Sequence, residues 1–210
     1  VLVLTGAGDK AFAAGTDISQ FRAFSTPGDA IAYEARIERI LTTLEACPIP
    51  TIAAISGAVT GGGAAIAAVC DLRIATHTAR FGFPIARTLG NCLSIRNYAR
   101  LAGLLGASRV KDLIFTARLM EAEEAQAAGL YCELVADHAA LLARADDLAR
   151  TIAGHAPLTL RVTKEALRRV GAASSDLEGQ DLILACYMST DFREGMEAFL
   201  AKRPPQWRGE

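Results

Sequence analysis

The sequence predicts an α/β fold in two parts, a core of mostly parallel strands and helices over residues 1–135 and a helical region over residues 136–210. Three observations lead to this prediction. Buried-strand patterns alternate with helical spacing in the first part, which is typical of a parallel sheet with crossover helices. Almost every segment after Ser94 has helical periodicity. The two parts meet at a strand-like run over 130–135.

Short runs of β-branched and apolar residues predict the strands, because strands that are covered on both faces carry apolar side chains throughout. These runs are 1–5, 51–55, 71–75, 80–83 and 130–135. The first run opens the chain without a preceding cap or turn. We therefore expect that the sequence lacks an N-terminal portion.

Helical spacing of Ile and Leu predicts a helix over 29–46, which Pro48 and Pro50 terminate. A run of small residues predicts a tightly packed helix over 64–69. The segment AFAAGTDI, residues 11–18, has neither pattern and is expected to be irregular. Seven further helices are predicted, at 94–105, 107–116, 121–128, 137–154, 157–170, 176–188 and 190–201.

The composition excludes several classes of function. The chain has 22 basic and 23 acidic residues without a long run of one sign, so neither nucleic acid nor a membrane surface is an expected partner. Charge or glycine interrupts the apolar stretches before the roughly 18 residues that a membrane span needs. The five cysteines are odd in number and lack metal-ligand spacing. We therefore expect free thiols, no metal site and a cytoplasmic location.

Two glycine-bearing turns follow predicted strands and are the first candidates for a binding site. Residues 6–11 fit the relaxed dinucleotide pattern G-x-G-x-x-[GA], but the helix that this pattern requires is delayed to an N-cap at Asp17. Residues 57–63 lack the Gly-Lys-Ser/Thr ending of a P-loop. Neither turn is expected to bind a nucleotide phosphate.

Gly61, Gly62 and Gly63 stand where a strand meets a helix, and two interpretations of them are open. Bare backbone lets a ligand approach the N–H groups at a helix N-terminus, which describes an oxyanion site. An N–H from the turn Gly15-Thr16 would converge on the same point, because both turns follow the carboxyl ends of neighbouring strands. Alternatively, the three glycines only relieve crowding beneath the small-residue helix.

Four motifs follow one another along the chain: AFAAGTDI, PIPTIAAISGAVTGGGAAIAAVCDLRIAT, ARFGFP and EGMEAFLAKRPPQWRG. Together they resemble the crotonase superfamily, that is, the enoyl-CoA hydratase/isomerase family. The resemblance implies a spiral of ββα units with a C-terminal helical region that builds homotrimers, often paired into hexamers. It also implies an acyl-CoA thioester as substrate and no separate cofactor. Family chains begin with a further strand-helix-strand portion, in agreement with the expected missing N-terminus.

The resemblance also implies roles for individual residues. The backbone N–H groups of Thr16 and Gly62 would hold the thioester oxygen as it becomes an enolate. Phe199 and Lys202 match positions where an aromatic ring and a cation approach the CoA adenine and phosphates, although an ordinary exposed helix lysine is an equal alternative. The full set of implied substrate and CoA positions is Ala11, Ala13, Ala14, Gly15, Asp17, Ile18, Gly61, Pro84, Ile85, Leu89, Phe199 and Lys202.

Two glutamates that serve as general acid and base in family hydratases are absent. Their positions read Ala65 and Ile85, and neither side chain can transfer a proton. Because a positioned acid or base contributes roughly 10²–10⁴ in rate, ordinary enoyl-CoA hydration is expected to be slow unless another group substitutes. The candidate polar substitutes are Arg87 and Asn91, followed by Cys92, Ser94 and the hydroxyl of Thr16.

Each substitute has a structural alternative. Arg87 fits an ion pair across a subunit contact, Asn91 fits a turn, and Ser94 fits the N-cap of the next helix. Glu34 and Glu38 share one helix face and would supply a carboxylate from above the pocket, but a solvated helix face is the expected account. Asp71 is interpreted as structural.

Two functions from different classes remain. The first is an acyl-CoA enzyme, similar to enoyl-CoA hydratases and isomerases, that stabilises a thioester enolate; a hydrolase or decarboxylase of the same family is included. The second is a catalytically silent chain that binds acyl-CoA or assembles with a partner enzyme, which Ala65 and Ile85 together favour. Acyl-CoA turnover in the presence of binding separates the two.

Overall fold

The computed structural model describes residues 1–173 and 179–210. Its strands are β1 (Leu2–Thr5), β2 (Ala11–Ala13), β3 (Thr51–Ile55), β4 (Ala58–Thr60), β5 (Leu72–Thr76), β6 (Arg80–Gly82), β7 (Met120–Glu121) and β8 (Glu133–Val135). Its α-helices are α1 (Pro27–Glu45), α2 (Gly62–Val69), α3 (Ile85–Thr88), α4 (Ile95–Leu105), α5 (Ala107–Thr116), α6 (Ala122–Ala127), α7 (His138–Ala153), α8 (Pro157–Ala173), α9 (Gln180–Tyr187) and α10 (Thr190–Leu200). A 3₁₀ helix spans Ile18–Ala23.

The strands form two sheets, and the chain contributes to both in turn. One sheet has the order β1-β3-β5-β8 and is parallel throughout. The other has the order β2-β4-β6-β7, and only its last pair, β6 with β7, is antiparallel. Each strand pair β3–β4 and β5–β6 leads into a helix, so the units are ββα. The mostly parallel sheet predicted from the sequence is confirmed as two sheets.

Strand β3 is buried on both faces, which explains its unbroken apolar sequence. Ile52 and Ala54 pack in a cluster with Leu141 of α7. Ala53 and Ile55 face the other way and pack in the main core with the small side chains of α2. The core therefore lies on both sides of this strand, and α2 is held close to the sheet by its alanines.

The boundaries differ from the prediction in several places. Helix α1 starts two residues early, because Pro27 occupies its first turn and the Thr26 N–H is bonded to Asp29 at 2.7 Å. The predicted helix over 176–188 is described only from Gln180, since 174–178 lie outside the described residues. The segment predicted as irregular contains β2, whose three residues are too few to show a strand period.

Asp71 is structural, as the sequence predicts. Its carboxylate accepts hydrogen bonds from the N–H and hydroxyl of Thr51 at 2.7 and 2.9 Å. It also accepts one from Nζ of Lys164 on α8 at 2.6 Å. This carboxylate therefore connects the C-terminal helical region to the sheet. Within the two described ranges, no helix is both long and apolar enough to cross a lipid bilayer.

Candidate active site

Two backbone turns lie side by side at the carboxyl ends of neighbouring strands. β2 pairs with β4 in parallel, with Ala11 opposite Ala58. The turn at Gly15 and Thr16 follows β2, and the turn at Gly61 and Gly62 follows β4. An ideal Cβ built on Gly15 would lie 3.3 Å from the Gly62 nitrogen, and one built on Gly62 would lie 4.0 Å from the Thr16 nitrogen. The two turns are therefore direct neighbours.

The three glycines have different reasons for being glycine. A Cβ on Gly63 would lie 2.2 Å from the carbonyl oxygen of Ala13, so this position relieves crowding between α2 and β2. Gly61 has φ +54°, which disfavours other residues. A Cβ on Gly62 would have only an ordinary contact, 3.5 Å from Cα of Gly15. Crowding accounts for Gly63 and leaves Gly62 without a comparable steric reason.

The N–H groups of Thr16 and Gly62 are available to a ligand. Gly62 is the first residue of α2, so its N–H has no acceptor within the helix. In the described parts of the chain, neither N–H takes part in the turn, loop and cap hydrogen bonds, whereas the Gly61 N–H donates to Gly82 at 3.2 Å. Free N–H groups at a helix start favour an oxygen that carries negative charge.

Side chains around Thr16 occupy its hydroxyl. Nε2 of Gln20 donates to Oγ1 of Thr16 at 2.7 Å, and the Gln20 carbonyl accepts from Arg36 at 2.7 Å. Burial raises the pKa of the Tyr33 phenol, and a hydrogen bond with the Thr16 side chain opposes that rise. The hydroxyl therefore belongs to a network that includes α1. Asp17 is the N-cap of the 3₁₀ helix, as predicted.

Neither family glutamate position carries a group that transfers protons. Ala65 and Ile85 are buried and pack in the main apolar core. Pro84 is the N-cap of α3, and Leu89 packs in a second apolar cluster beneath the 3₁₀ helix. Arg87 is exposed and forms no ion pair with a carboxylate of the described residues.

Asn91 does more than complete a turn. Its Nδ2 donates to the hydroxyl of Tyr187 at 3.3 Å, and its Oδ1 is buried without a partner among the described residues. The Tyr187 hydroxyl donates in turn to Oε1 of Glu34 at 2.5 Å. A row of three polar groups thus connects the segment after β6 to α1 and α9.

The predicted solvated helix face is wrong. Glu34 is only 7% exposed, because α9 and the aromatic cluster cover that side of α1. Burial raises the pKa of its carboxyl group, and the hydrogen bond from Tyr187 partly opposes this. Glu38 is bound by Arg100 at 2.6 Å. Sequence reasoning missed Tyr187, since no local pattern indicates a contact between residues 153 positions apart.

A cavity of about 530 Å³ opens beside Glu34. Ile31, Glu34 and Glu38 of α1 form one wall, and Ser94 and Ile183 belong to the opposite walls. Ser94 is also the N-cap of α4, where its hydroxyl accepts from the Asn97 N–H at 3.3 Å, so the structural role predicted for it is present.

The remaining predicted residues divide by element. Ala14, Gly15 and Asp17 are exposed beside the two turns, and Ala11, Ala13 and Ile18 are half-buried there. Phe199 and Lys202 lie at the end of α10, a different element, and Phe199 is 49% exposed. Cys92 is buried, with Sγ 3.5 Å from the Leu182 carbonyl.

Comparison with known proteins identifies relatives along the whole chain. The sequence model described as enoyl-CoA hydratase/isomerase matches residues 1–210. Short-chain-enoyl-CoA hydratase of Clostridium acetobutylicum is 34% identical over 205 residues, which cover 96% of this chain and 77% of that protein. The mitochondrial methylglutaconyl-CoA hydratase of Homo sapiens is 34% identical over 206 residues, which cover 95% of this chain and 60% of that protein.

Solved structures agree with the sequence relatives. Methylmalonyl-CoA decarboxylase in complex with 2-nitronate-propionyl-CoA has a TM-score of 0.89 at 32% identity, covering 99% of this chain and 81% of that one. This similarity confirms the predicted crotonase-like α/β fold with its C-terminal helical region. Because the family match spans the chain and the relatives exceed 30% identity, the chain belongs to the enoyl-CoA hydratase/isomerase family of the crotonase superfamily.

Proposed function

We propose that this chain is an acyl-CoA enzyme that stabilises the enolate of a bound thioester. One observation carries the proposal: two strand-end turns lie side by side and leave the N–H groups of Thr16 and Gly62 without a backbone acceptor in the described residues, and Gly62 has no steric reason to be glycine. A bare backbone at this point lets a carbonyl oxygen approach both nitrogens. The relatives named for CoA thioesters support the choice of ligand.

The two N–H groups act on charge that develops during the reaction. When a bond to the carbon next to the carbonyl breaks, its electron pair forms a C=C bond and the carbonyl electrons move onto oxygen. Donors that are already in place stabilise that oxygen without reorganisation. Removing one such donor typically lowers kcat by about 10²–10³. Backbone donors are also insensitive to changes in nearby side chains.

The reaction that follows depends on acid–base groups. Since Ala65 and Ile85 occupy the family glutamate positions, hydration or isomerisation requires a proton-transferring group from elsewhere in the chain. Decarboxylation of a malonyl-type thioester forms the same enolate by loss of CO₂ and needs no base for that step. The structural neighbour named as a decarboxylase supports this as the second candidate reaction.

Two assays of the full chain test the proposal. Hydration is followed by loss of the conjugated crotonyl-CoA absorbance, and decarboxylation by CO₂ release from methylmalonyl-CoA. Turnover in either assay that falls about 10²-fold or more in Gly62→Pro, and much less in Gly62→Ala, supports the oxyanion role, because only proline removes the N–H. Turnover by Gly62→Pro at the wild-type rate would overturn the oxyanion role of the Gly62 N–H. Thioester binding without turnover in either assay would favour the silent acyl-CoA-binding alternative.

We propose that Phe199 and Lys202 contact the CoA moiety. Phe199 is 49% exposed, which leaves a ring face for an adenine, and the lysine ammonium suits a phosphate. Lys202→Gln should weaken CoA binding, with a smaller effect at high salt, whereas Lys111→Gln on α5 serves as the control.

Five free thiols support our proposal of a cytoplasmic location.

We propose that α8 contributes to self-association into trimers. Four of its apolar side chains are exposed, and large exposed apolar side chains in this number on one helix indicate an interaction surface. They are Leu158, Val162, Leu167 and Val170, each between 64% and 72% exposed. Leu158→Glu with Val162→Glu should shift the sedimentation coefficient toward the monomer, whereas Arg161→Gln on the same helix should not. A monomeric wild-type chain would overturn the assignment.

A further inference from the structure

Glu34 is a buried carboxyl group whose nearest described partner is not a cation. It is 7% exposed, and the group bound to it is the Tyr187 hydroxyl, 2.5 Å from Oε1. An unpaired acidic group in an apolar cluster reduces stability unless it stays protonated. Such groups are found mostly where a reaction uses the proton. Glu34 also forms part of the cavity wall, so one side of it faces open space.

A second observation indicates that a ligand belongs in this region. Oδ1 of Asn91 is buried, and no donor in the described residues reaches it. A buried carbonyl oxygen without a donor destabilises the fold. The same Asn91 donates to Tyr187, so the unsatisfied oxygen and the carboxyl group belong to one polar row. A bound molecule that donates a hydrogen bond would complete it.

Two segments that carry this row are also hydrogen-bonded to the turns of the backbone donors. Gln20 joins α1 to Thr16, because its Nε2 donates to Oγ1 of Thr16 and its carbonyl oxygen accepts from Arg36 of α1, both at 2.7 Å. On the other side, the Gly61 N–H is bonded to Gly82, the last residue of β6, and the chain runs from there through α3 to Asn91. The segments that carry the polar row are therefore the same segments that position the two turns.

From this arrangement we propose that Glu34 is the proton donor and acceptor of the acyl-CoA site, with Tyr187 and Asn91 as its positioning residues. The inference rests on the proposed function and names the acid–base group which that function lacks. Ionised Glu34 takes a proton from the carbon next to the thioester carbonyl. The C–H electron pair becomes the C=C bond of the enolate, and the carbonyl electrons move to the oxygen at Thr16 and Gly62. The proton on the carboxyl group exchanges with water in the cavity before the carboxyl group returns a proton to carbon.

Several charged and titratable groups surround Glu34, and of these Tyr187 and Glu38 affect its pKa. Glu38 and Tyr33 lie on the same helix as Glu34, and Arg100 neutralises Glu38. Arg96 and Asp181 also line the cavity. The thiols of Cys92 and Cys186 pack in the same apolar cluster. Of these, the Tyr187 hydroxyl is the group in direct contact, and its hydrogen bond favours the ionised carboxylate.

Exchange of the α-protons of butyryl-CoA in D₂O, followed by NMR, tests the inference on the full chain. Glu34→Gln should lower the exchange rate about 10²-fold or more while the dissociation constant of butyryl-CoA stays within about threefold. Asp146→Asn, a carboxylate change on α7 outside the cavity, should leave the rate within about twofold. Tyr187→Phe should move the midpoint of the pH–rate profile upward, because it removes a hydrogen bond that favours the carboxylate.

The outcomes separate the inference from the proposed function. Exchange that persists in Glu34→Gln but is lost in Gly62→Pro would overturn the role of Glu34 and leave the enolate site intact. Absence of exchange by a wild-type chain that binds butyryl-CoA and decarboxylates methylmalonyl-CoA would overturn the role of Glu34 alone, and absence of both reactions would overturn both proposals. A folded Glu34→Gln variant that loses both exchange and butyryl-CoA binding would also overturn the acid–base role of Glu34. Glu34 would then have a structural or binding role only.

Discussion

Nζ of Lys164 lies 2.6 Å from Oδ2 of Asp71, and this ion pair fastens α8 to the edge where β3 and β5 begin. The same carboxylate oxygen accepts two hydrogen bonds from Thr51. One side chain thereby positions two strands and a helix of the C-terminal region. The lysine side chain is only 11% exposed, so solvent screens the pair less than it would on the surface.

Replacing Asp71 should destabilise the fold more than replacing Lys164. Asp71→Ala removes the acceptor of three hydrogen bonds and should lower the free energy of unfolding by about 2 kcal/mol, whereas Lys164→Met keeps the Thr51 bonds and should cost about 1 kcal/mol. Urea unfolding measures both losses in the free energy of unfolding, and we expect the m-values to stay at the wild-type value. A larger loss in Lys164→Met would mean that the helix contact, not the strand contact, carries the stability.

The glycines of the 61–63 turn should tolerate alanine differently. Gly63→Ala places a Cβ 2.2 Å from the Ala13 oxygen, so α2 must shift and the free energy of unfolding should fall by about 2–3 kcal/mol or more. Gly62→Ala makes only a 3.5 Å contact with Gly15 and should unfold at nearly the wild-type urea concentration. Circular dichroism in urea compares the two. Equal midpoints would contradict the steric assignment.

Much of the architecture is predictable from the sequence, but several of the short strands are not. The buried run 51–55 and the helix ended by Pro48 are visible because apolar composition and a helix-breaking residue act locally. Strands β2, β4 and β7 have two or three residues, which is too short for a period. They exist because the neighbouring strand supplies hydrogen bonds, and that information is not local.

The candidate site divides in the same way. The turn at Gly62 is predictable, because three glycines at a strand-to-helix junction expose backbone N–H groups. The burial of Glu34 is not predictable. Its i, i+4 spacing with Glu38 shows that the two share a helix face, but the sequence does not indicate which helix covers that face of α1. Only the fold brings Tyr187 to Glu34 and makes a predicted solvated residue a buried one.

The Thr16 hydroxyl should be dispensable for turnover. Gln20 already hydrogen-bonds this side chain, so it is engaged in positioning the turn, while the backbone N–H has no acceptor among the described residues. Thr16→Ala keeps that N–H and should leave kcat within about threefold, in contrast to the loss of about 10²–10³ expected when an oxyanion donor is removed. Steady-state kinetics on whichever thioester is turned over checks this. A loss of 10²-fold would assign the hydroxyl a chemical role.

Arg73 should be one of the residues on which folding depends most. It is 6% exposed, burial lowers its pKa, and it donates to the carbonyls of Leu130 at 2.8 Å and Cys70 at 2.5 Å. Arg73→Met leaves these buried carbonyls without donors and should lower the free energy of unfolding by about 3 kcal/mol. Arg73→Lys, which keeps one charged donor, should lose less. Urea midpoints that place the lysine variant below the methionine variant would contradict this account.

The raised pKa of Glu34 should make stability depend on pH in a predictable direction. Burial raises this pKa above its ordinary value of 4.5, so between the two values the folded chain binds more protons than the unfolded chain. The contribution of Glu34 to stability is therefore fully present below about pH 4.5 and is lost as pH rises through the folded pKa. Glu34→Gln does not titrate, so its stability relative to wild type should improve from pH 5 to pH 8.

Tyr187→Phe gives the opposite test of the same linkage. Its missing hydrogen bond leaves the Glu34 carboxylate less stable in the fold, which raises the pKa of Glu34 further and should steepen the decline in stability between pH 5 and pH 8. Urea titrations at pH 5 and pH 8 give the change in the free energy of unfolding with pH for wild type, Glu34→Gln and Tyr187→Phe. Because the sign follows from proton binding alone, parallel profiles for wild type, Glu34→Gln and Tyr187→Phe would mean that Glu34 has the same pKa in the folded and unfolded chain.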